Sequence, residues 1–76
     1  MTRIDNDLAS LITDTALNMC HAIRRDYPWA RSADSPARHA AIIADVRRNT
    51  IPRCAPFMRV IIGTALDHEA ALFGAI

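Results

Sequence analysis

The last third of the chain carries the clearest repeat of apolar positions. Apolar side chains recur there at three- and four-residue steps, at Met58, Ile61, Ile62, Ala65, Leu72 and Ile76. Steps of this size place side chains on one face of an α-helix, which turns once every 3.6 residues. Pro56 fits the first helical turn, where a missing N–H group is no loss. The pattern predicts a helix from Pro56 to Ile76 with this face turned into the core.

The first third of the chain follows the same period. Its apolar positions are Ile4, Leu8, Leu11, Ile12, Met19 and Ile23. Thr2 and Asp5 resemble a capping pair, and the order of early aspartates and late arginines suits the helix dipole. Because the residue before a proline is pushed out of the helical region, Tyr27 should end the helix ahead of Pro28. We predict a helix from about Arg3 to about Asp26.

A shorter helix is predicted between these two. Ser35 and Pro36 form a strong helix start, because serine accepts a hydrogen bond from a first-turn N–H group and proline lacks one. The helix should reach about Asn49 and end before Pro52. Its side chains divide into Ile42, Ile43 and Val46 pointing inward, Ala40 and Ala44 as thin spacers, and Arg38 and Asp45 on the outer side. With no sustained strand-like alternation, the sequence predicts an all-α, long-short-long three-helix bundle with residues 1–76 as one domain.

Small residues line a second face of the last helix. Gly63, Ala70 and Gly74 fall along one side of it and would let another backbone approach closely. A glycine inside a helix costs about 1 kcal/mol relative to alanine, so we expect a packing role. The partner is either another helix of the same chain or a second subunit. Since a 76-residue chain builds only a marginally stable core, we expect a homodimer to complete the bundle.

The composition is that of a folded protein, with 51% hydrophobic and 22% charged residues. The longest uncharged apolar stretch, Val60 to Leu66, is far shorter than the ~20 residues of a membrane span. Asp5, Asp7 and Asp14 interrupt any apolar segment of a signal peptide. These features predict a cytoplasmic protein with no membrane partner.

All nine basic residues are arginine, and they concentrate in the middle of the chain. In an up-down bundle they form two clusters at opposite ends, with Arg24, Arg25 and Arg31 at one end and Arg47, Arg48, Arg53 and Arg59 at the other. One interpretation is that they neutralise helix C-termini. The other is that they contact the phosphates of a nucleic acid or a small nucleotide. A net charge of +1 and a pI of about 7.9 favour the first.

No stretch of the chain matches a catalytic motif. His68 and Glu69 begin like a zinc-protease helix, but Leu72 stands where the second histidine belongs. Asp67, His68 and Glu69 are therefore expected on the hydrated face of the last helix. We predict a protein that is not an enzyme.

Neither the cysteines nor the histidines have the spacing of a metal site. Cys20, His21 and Cys54, with His39 or His68, lack the paired spacing that zinc ligands show. We predict no metal and no cofactor. In a reducing compartment Cys20 and Cys54 are expected to be buried free thiols, with a disulfide between them as the alternative.

The predicted loop from Tyr27 to Asp34 holds the only tyrosine and the only tryptophan. Trp, Tyr and Arg dominate binding hot spots, so the expected partner-binding residues are Tyr27, Trp29, Arg31, Arg24 and Arg25. The alternative is that Trp29 closes the end of the bundle.

The sequence thus favours a small interaction module, an inhibitor or adaptor that blocks a surface on a larger protein partner. This class includes proteins carried by phages and other mobile elements. The alternative is a protein that binds nucleic acid or a small anionic nucleotide through its arginine clusters.

Overall fold

The computed structural model describes residues 2–76, which form three packed α-helices. They are α1 (Asn6–Ala30), α2 (Ser35–Asn49) and α3 (Pro56–Gly74), of 25, 15 and 19 residues, and a short 3-10 helix (Ile51–Arg53) connects α2 to α3. No strand occurs in residues 2–76, so the all-α prediction is confirmed. The bundle is elongated, at 39 × 17 × 17 Å. Across these residues, no helix has both the length and the apolar character that a bilayer crossing requires.

The N-terminus of α1 is capped by Asp5. Its carboxylate Oδ1 accepts a hydrogen bond from the Leu8 N–H group at 2.8 Å. The helix therefore begins at Asn6 and not near Arg3, with Asp5 rather than Thr2 as the capping side chain.

The C-terminus of α1 lies beyond Pro28, so the prediction that the helix stops near Tyr27 was wrong. The helix continues to Ala30, and Arg31 then adopts a left-handed conformation (φ 43°, ψ 43°) while its N–H group donates to the Tyr27 carbonyl at 2.8 Å. The Tyr27 ring also contacts the Phe73 ring, with centroids 5.1 Å apart. These contacts outweigh the local preference of a residue before proline, and the predicted loop is reduced to residues 31–34.

The start of α2 also differs from the prediction, whereas its end agrees. Ser35 is a buried first residue of the helix and not its cap, and Asp34 stands at the cap position without a side-chain capping bond. Pro36 lies in the first turn and Asn49 is the last residue, as expected.

The core packs short side chains of α1 against long ones of α2 and α3. The buried residues of α1 are Ala9, Thr13, Ala16 and Cys20, those of α2 include Ile43 and Val46, and those of α3 include Met58, Ile62 and Leu66. The four residues of α1 follow steps of four, three and four, so they form one stripe. A stripe of such short side chains allows neighbouring helices to approach α1 closely.

The long apolar side chains that follow the helical period of α1 do not all enter the core. Leu8, Leu11 and Met19 are exposed, with Leu11 at 63%. The spacing of apolar residues could not distinguish the face that carries these long side chains from the neighbouring stripe of alanines, because both repeat with helical spacing.

The predicted core face of α3 was partly wrong. Met58 and Ile62 are buried as expected, but Ile61, Leu72 and Ile76 are exposed. Leu66 and Glu69 are buried in their place. The buried stripe of α3 is thus rotated away from the most apolar positions.

The small-residue face of α3 does not pack closely on another helix of the chain. Apart from the backbone of its own helix, a Cβ atom added at Gly63 or Gly74 would meet no atom within 4 Å, and Ala70 is exposed. Of the two partners considered, the same-chain helix is therefore not found. A second subunit on this face stays a prediction.

Candidate functional site

A buried carboxylate joins all three helices at the end of the bundle where α1 finishes. Glu69 of α3 is 6% exposed and accepts hydrogen bonds from Arg24 of α1 and His39 of α2. The distances to its carboxylate oxygens are 2.8 Å from Arg24 Nε, 3.3 Å from Arg24 Nη2 and 2.9 Å from His39 Nε2. A buried carboxylate is tolerated when it is paired and hydrogen-bonded in this way.

The bonding pattern identifies which nitrogen atoms carry protons. An ionised carboxylate only accepts hydrogen bonds, so His39 donates to Glu69 from Nε2–H. Arginine only donates, so Nδ1 of His21, which lies 2.8 Å from Arg24 Nη2, is the acceptor and carries no proton.

The pKa of Glu69 is lowered although burial alone would raise it. Desolvation is the largest single influence, but the hydrogen bonds from Arg24 and His39 and their charges together outweigh it. Glu69 is therefore ionised at neutral pH.

An aromatic stack extends the cluster toward the surface. The His39 ring lies 4.4 Å from the Phe73 ring, Phe73 lies 5.1 Å from Tyr27, and the Arg31 guanidinium sits 5.9 Å from the Tyr27 centroid. The stack fixes the ring of His39 and connects the buried cluster to the end of α1.

Cys20 borders the cluster as a protonated thiol. Burial raises its pKa to about 11, and the negative charge of Glu69 adds to the effect. Its Sγ donates weakly to the His39 carbonyl at 3.9 Å, and Cys54 Sγ donates to the Thr50 carbonyl at 3.2 Å. Both cysteines are buried and free, so the prediction of unpaired thiols is confirmed.

The arrangement is a structural clasp, which we define as the hydrogen-bonded carboxylate of Glu69 that joins the three helices. The carboxylate uses its acceptor sites on two donors of the same chain, and the thiol beside it stays protonated. Across residues 2–76, the His, Cys, Asp and Glu side chains form no group of three that could hold a metal ion.

The three residues of α3 that were expected to be hydrated are not all exposed. Asp67 and His68 are exposed as expected, but Glu69 is buried, so that part of the prediction was wrong. One indication was present in the sequence. Glu69 lies three residues after Leu66 and four before Phe73, which is the spacing of a single helical face.

The expected partner-binding residues differ in exposure and in their contacts within the chain. Trp29 is 90% exposed, so it does not close the bundle end, and Arg25 is exposed beside Asp26. Arg24 is engaged by Glu69, and Tyr27 is half-buried on Phe73.

The second basic cluster is largely occupied by contacts within the chain. Arg47 pairs with Asp67 at the surface. Arg53 Nε donates to the Thr2 carbonyl at 2.8 Å, and Arg59 donates to the carbonyls of Cys54 at 3.0 Å and Pro52 at 3.3 Å. These bonds to main-chain carbonyls support the interpretation that the arginines satisfy helix and turn ends.

Two exposed apolar surfaces were not predicted from the sequence. The first, which we call the α1 strip, lies on the outer side of that helix and consists of the exposed side chains of Leu8, Leu11, Met19 and Trp29. The second, the α3 patch, consists of Phe57, Val60 and Ile61, each more than half exposed. Helical spacing revealed these apolar positions but not the direction in which they point.

Two shallow depressions adjoin these helices. One of about 430 Å³ lies between α2 and α3, and its lining includes His39, Phe73 and Arg47. The other, of about 390 Å³, lies between α1 and α2 and includes Ile12 and Met19. The second depression is continuous with the α1 strip.

Comparison with known proteins identified no relative, since no family model, curated protein or solved structure matches the chain.

Proposed function

We propose that this protein is a small, non-enzymatic interaction module, an inhibitor or adaptor that covers a surface on a larger protein partner. The observation that carries the proposal is the α3 patch. Phe57, Val60 and Ile61 are 57%, 69% and 57% exposed and lie within two turns of one helix. Contiguous exposed apolar side chains are typical of binding surfaces, whereas scattered ones are not.

The charges around the α3 patch indicate the chemistry of the partner. Every charged residue from position 46 to position 66 is an arginine, and Arg53 and Arg59 are the two nearest to the patch in sequence. Two copies of the patch placed face to face would bring like charges together, which is unfavourable. The occupant we propose is therefore an apolar surface bordered by carboxylates on a different protein.

A homodimer that presents this patch twice is part of the proposal. The short chain and the second exposed surface, the α1 strip, support it, since a core of this size is only marginally stable. Sedimentation or light scattering across a range of protein concentrations should show a dimer, and a monomer throughout would contradict this part.

The experiment for partner binding compares two aspartate substitutions in a tagged capture from the native host. Val60→Asp places a charge in the α3 patch, whereas Ala37→Asp places one on an exposed position of α2 outside the patch. An acidic protein retained by the wild type and by Ala37→Asp, but lost with Val60→Asp, supports the proposal. Equal retention by both variants would contradict it.

The alternative is binding of nucleic acid or a small anionic nucleotide by the arginine clusters. Arg24 and Arg47 are engaged by carboxylates, which leaves fewer free guanidinium groups for phosphate. Binding to generic duplex that weakens steeply with salt would favour this alternative. Thermal stabilisation by a nucleotide would favour the small-ligand version.

A further inference from the structure

We propose that the depression between α2 and α3, which we call the α2–α3 depression, binds a small, neutral, flat aromatic molecule with one ring N–H or hydroxyl group. The ligand donates this hydrogen to Nδ1 of His39. The site shares no residue with the α3 patch and needs no second copy of the chain. It can therefore fail while the proposed function stands.

His39 has one ring nitrogen that the fold leaves without a partner. The residue is 3% exposed, and its Nε2–H group donates to Glu69 at 2.9 Å. Nδ1 has no hydrogen-bond partner within residues 2–76, yet it is not fully enclosed, since the Thr13 hydroxyl is the one enclosed side-chain group there without a partner. Nδ1 is therefore reached from outside, and the α2–α3 depression is the opening that His39 lines.

The position of the proton makes Nδ1 a hydrogen-bond acceptor. With the proton on Nε2, Nδ1 of the uncharged ring carries a lone pair and no hydrogen. Because the His39 ring is almost fully buried, water has little access to Nδ1, and a buried acceptor gains by meeting a donor. The ligand must therefore offer an N–H or O–H group at this end of the depression.

The charges near the depression are paired within the chain, which selects an uncharged ligand. Glu69 accepts hydrogen bonds from Arg24 and His39. Arg47 lines the depression, but its guanidinium pairs with Asp67. An anionic ligand would compete with Asp67 for this arginine, and a cationic one would be repelled by it. A neutral molecule meets neither cost.

The shape of the depression suits a flat ring. Its walls carry short side chains at four-residue spacing, namely Ala40 and Ala44 of α2 and Ala70 and Gly74 of α3. The ring of Phe73 lies 4.4 Å from that of His39 and lines the same depression. Aromatic rings attract one another in offset and edge-to-face arrangements, so a flat ligand contacts Phe73 while its donor meets His39. The volume of about 430 Å³ falls in the range of about 300–1,000 Å³ found for small-molecule sites.

The first test compares indole with benzofuran, which has nearly the same shape but an oxygen atom in place of the N–H group. Each is titrated into isotope-labelled protein at about pH 8, where an ordinary histidine is uncharged, and binding is followed by NMR. Indole should bind about three- to tenfold more tightly, the range that one hydrogen bond supplies. At equal occupancy, the Nδ1 resonance of His39 should shift further with indole than with benzofuran. The exposed His68, outside the depression, is the internal control.

The second test fills the depression without changing the hydrogen bonds of Glu69. Ala40→Leu places a larger side chain beside His39, and because it covers the apolar wall it should weaken indole binding about tenfold or more. Ala37→Leu is the matched control, since Ala37 is exposed on the same helix and does not line the depression. Leucine is a good helix former, so both variants should keep the circular dichroism spectrum of the wild type.

A third probe separates a free ligand from a protein side chain. N-acetyltryptophanamide carries the indole ring on a peptide backbone, and it should bind no more tightly than indole. Tighter binding would assign the depression to a tryptophan of a protein partner and overturn the proposed ligand class.

Other results would also overturn the inference. Equal binding of indole and benzofuran would show that Nδ1 of His39 accepts no hydrogen bond from the ligand. Indole binding that survives Ala40→Leu, or that Ala37→Leu weakens as much, would place the ligand elsewhere. The absence of any indole binding up to its solubility limit would remove the site.

Discussion

The buried carboxylate at Glu69 offers the sharpest test of how this fold is held together. Glu69→Gln keeps the shape of the side chain but removes its charge. The new amide nitrogen is a donor, and its neighbours Arg24 and His39 are donors too. At least one charge-assisted hydrogen bond is lost, and the new amide donor faces an N–H donor of Arg24 or His39.

The expected cost follows from the burial of the three groups. His39 is 4% and Arg24 23% exposed at the side chain, so His39 loses its partner in a nearly dry site while Arg24 recovers part of its solvation. Removing one member of a buried pair typically costs 3–5 kcal/mol. Allowing for the partial exposure of Arg24, we expect Glu69→Gln to lower the free energy of unfolding by about 2–4 kcal/mol.

Asp67→Asn is the matched control on the same helix. Asp67 pairs with Arg47, but their side chains are 73% and 41% exposed. Exposed pairs contribute about 0–1 kcal/mol, so the control should change stability by less than 1 kcal/mol.

The assay is urea unfolding followed by far-ultraviolet circular dichroism at one fixed protein concentration, because association would shift the midpoint. Fluorescence is a poor choice, since Trp29 is exposed in the folded chain. If Glu69→Gln is no more destabilising than Asp67→Asn, the argument that the clasp stabilises the bundle is refuted.

Four further predictions follow from individual sites. The pKa of Glu69 is lowered in the folded chain, so the ionised carboxylate contributes fully to stability above the unfolded value of ~4.3, and this contribution is lost as pH falls through the lower folded value. The difference in the free energy of unfolding between wild type and Glu69→Gln should therefore shrink as pH falls below about 5. Thr13→Val should raise the free energy of unfolding by about 1 kcal/mol, because the buried Thr13 hydroxyl has no hydrogen-bond partner within residues 2–76. A less stable variant would mean that this hydroxyl does form a hydrogen bond. Gly63→Ala should raise the free energy of unfolding, measured by thermal denaturation, by about 0.5–1 kcal/mol, because the new Cβ contacts no other part of the chain within 4 Å. Weaker self-association of this variant would instead place an interface on that face. Cys20, buried and with a raised pKa, should react with a thiol reagent only as fast as the protein unfolds, so rapid modification of the native chain would contradict its placement.

Helix number and approximate extent were predictable from the sequence because they depend on local features. The prolines at positions 36, 52 and 56 mark the limits of α2 and the start of α3, and the structure follows them. Pro28 was the exception. The helix continues past Pro28, where Tyr27 contacts Phe73. These two residues are 46 positions apart, so no pattern in the neighbouring sequence reveals the contact.

The candidate site was harder to predict because it depends on the rotation of each helix. The sequence suggested Glu69 as a hydrated residue, and only the packing of three helices brings Arg24 and His39 against it. The same rotation decides which apolar face of α1 enters the core. Spacing alone describes both faces equally well.

The two errors about burial have one physical cause. Leu8 and Leu11 follow the helical spacing of apolar residues in α1, yet the structure exposes them and buries Ala9 and Ala16. A helix that must contact two others at once gains by presenting short side chains, since close approach lets Ile43, Val46, Ile62 and Leu66 fill the space. The leucines then have no place within a single chain.

This arrangement connects the fold to the proposed assembly. Exposed leucines and Trp29 on α1 cost solubility unless something covers them, and nothing else in residues 2–76 lies over them. Asp7 and Asp14 lie beside the first half of the strip and the exposed Arg25–Asp26 pair beside its second half, so the charges of the strip do not by themselves select one direction for a covering helix. The charged residues nearest in sequence to the α3 patch are arginines, which disfavours two copies of the patch facing each other. A dimer joined through α1 would therefore leave both patches free to bind an acidic partner.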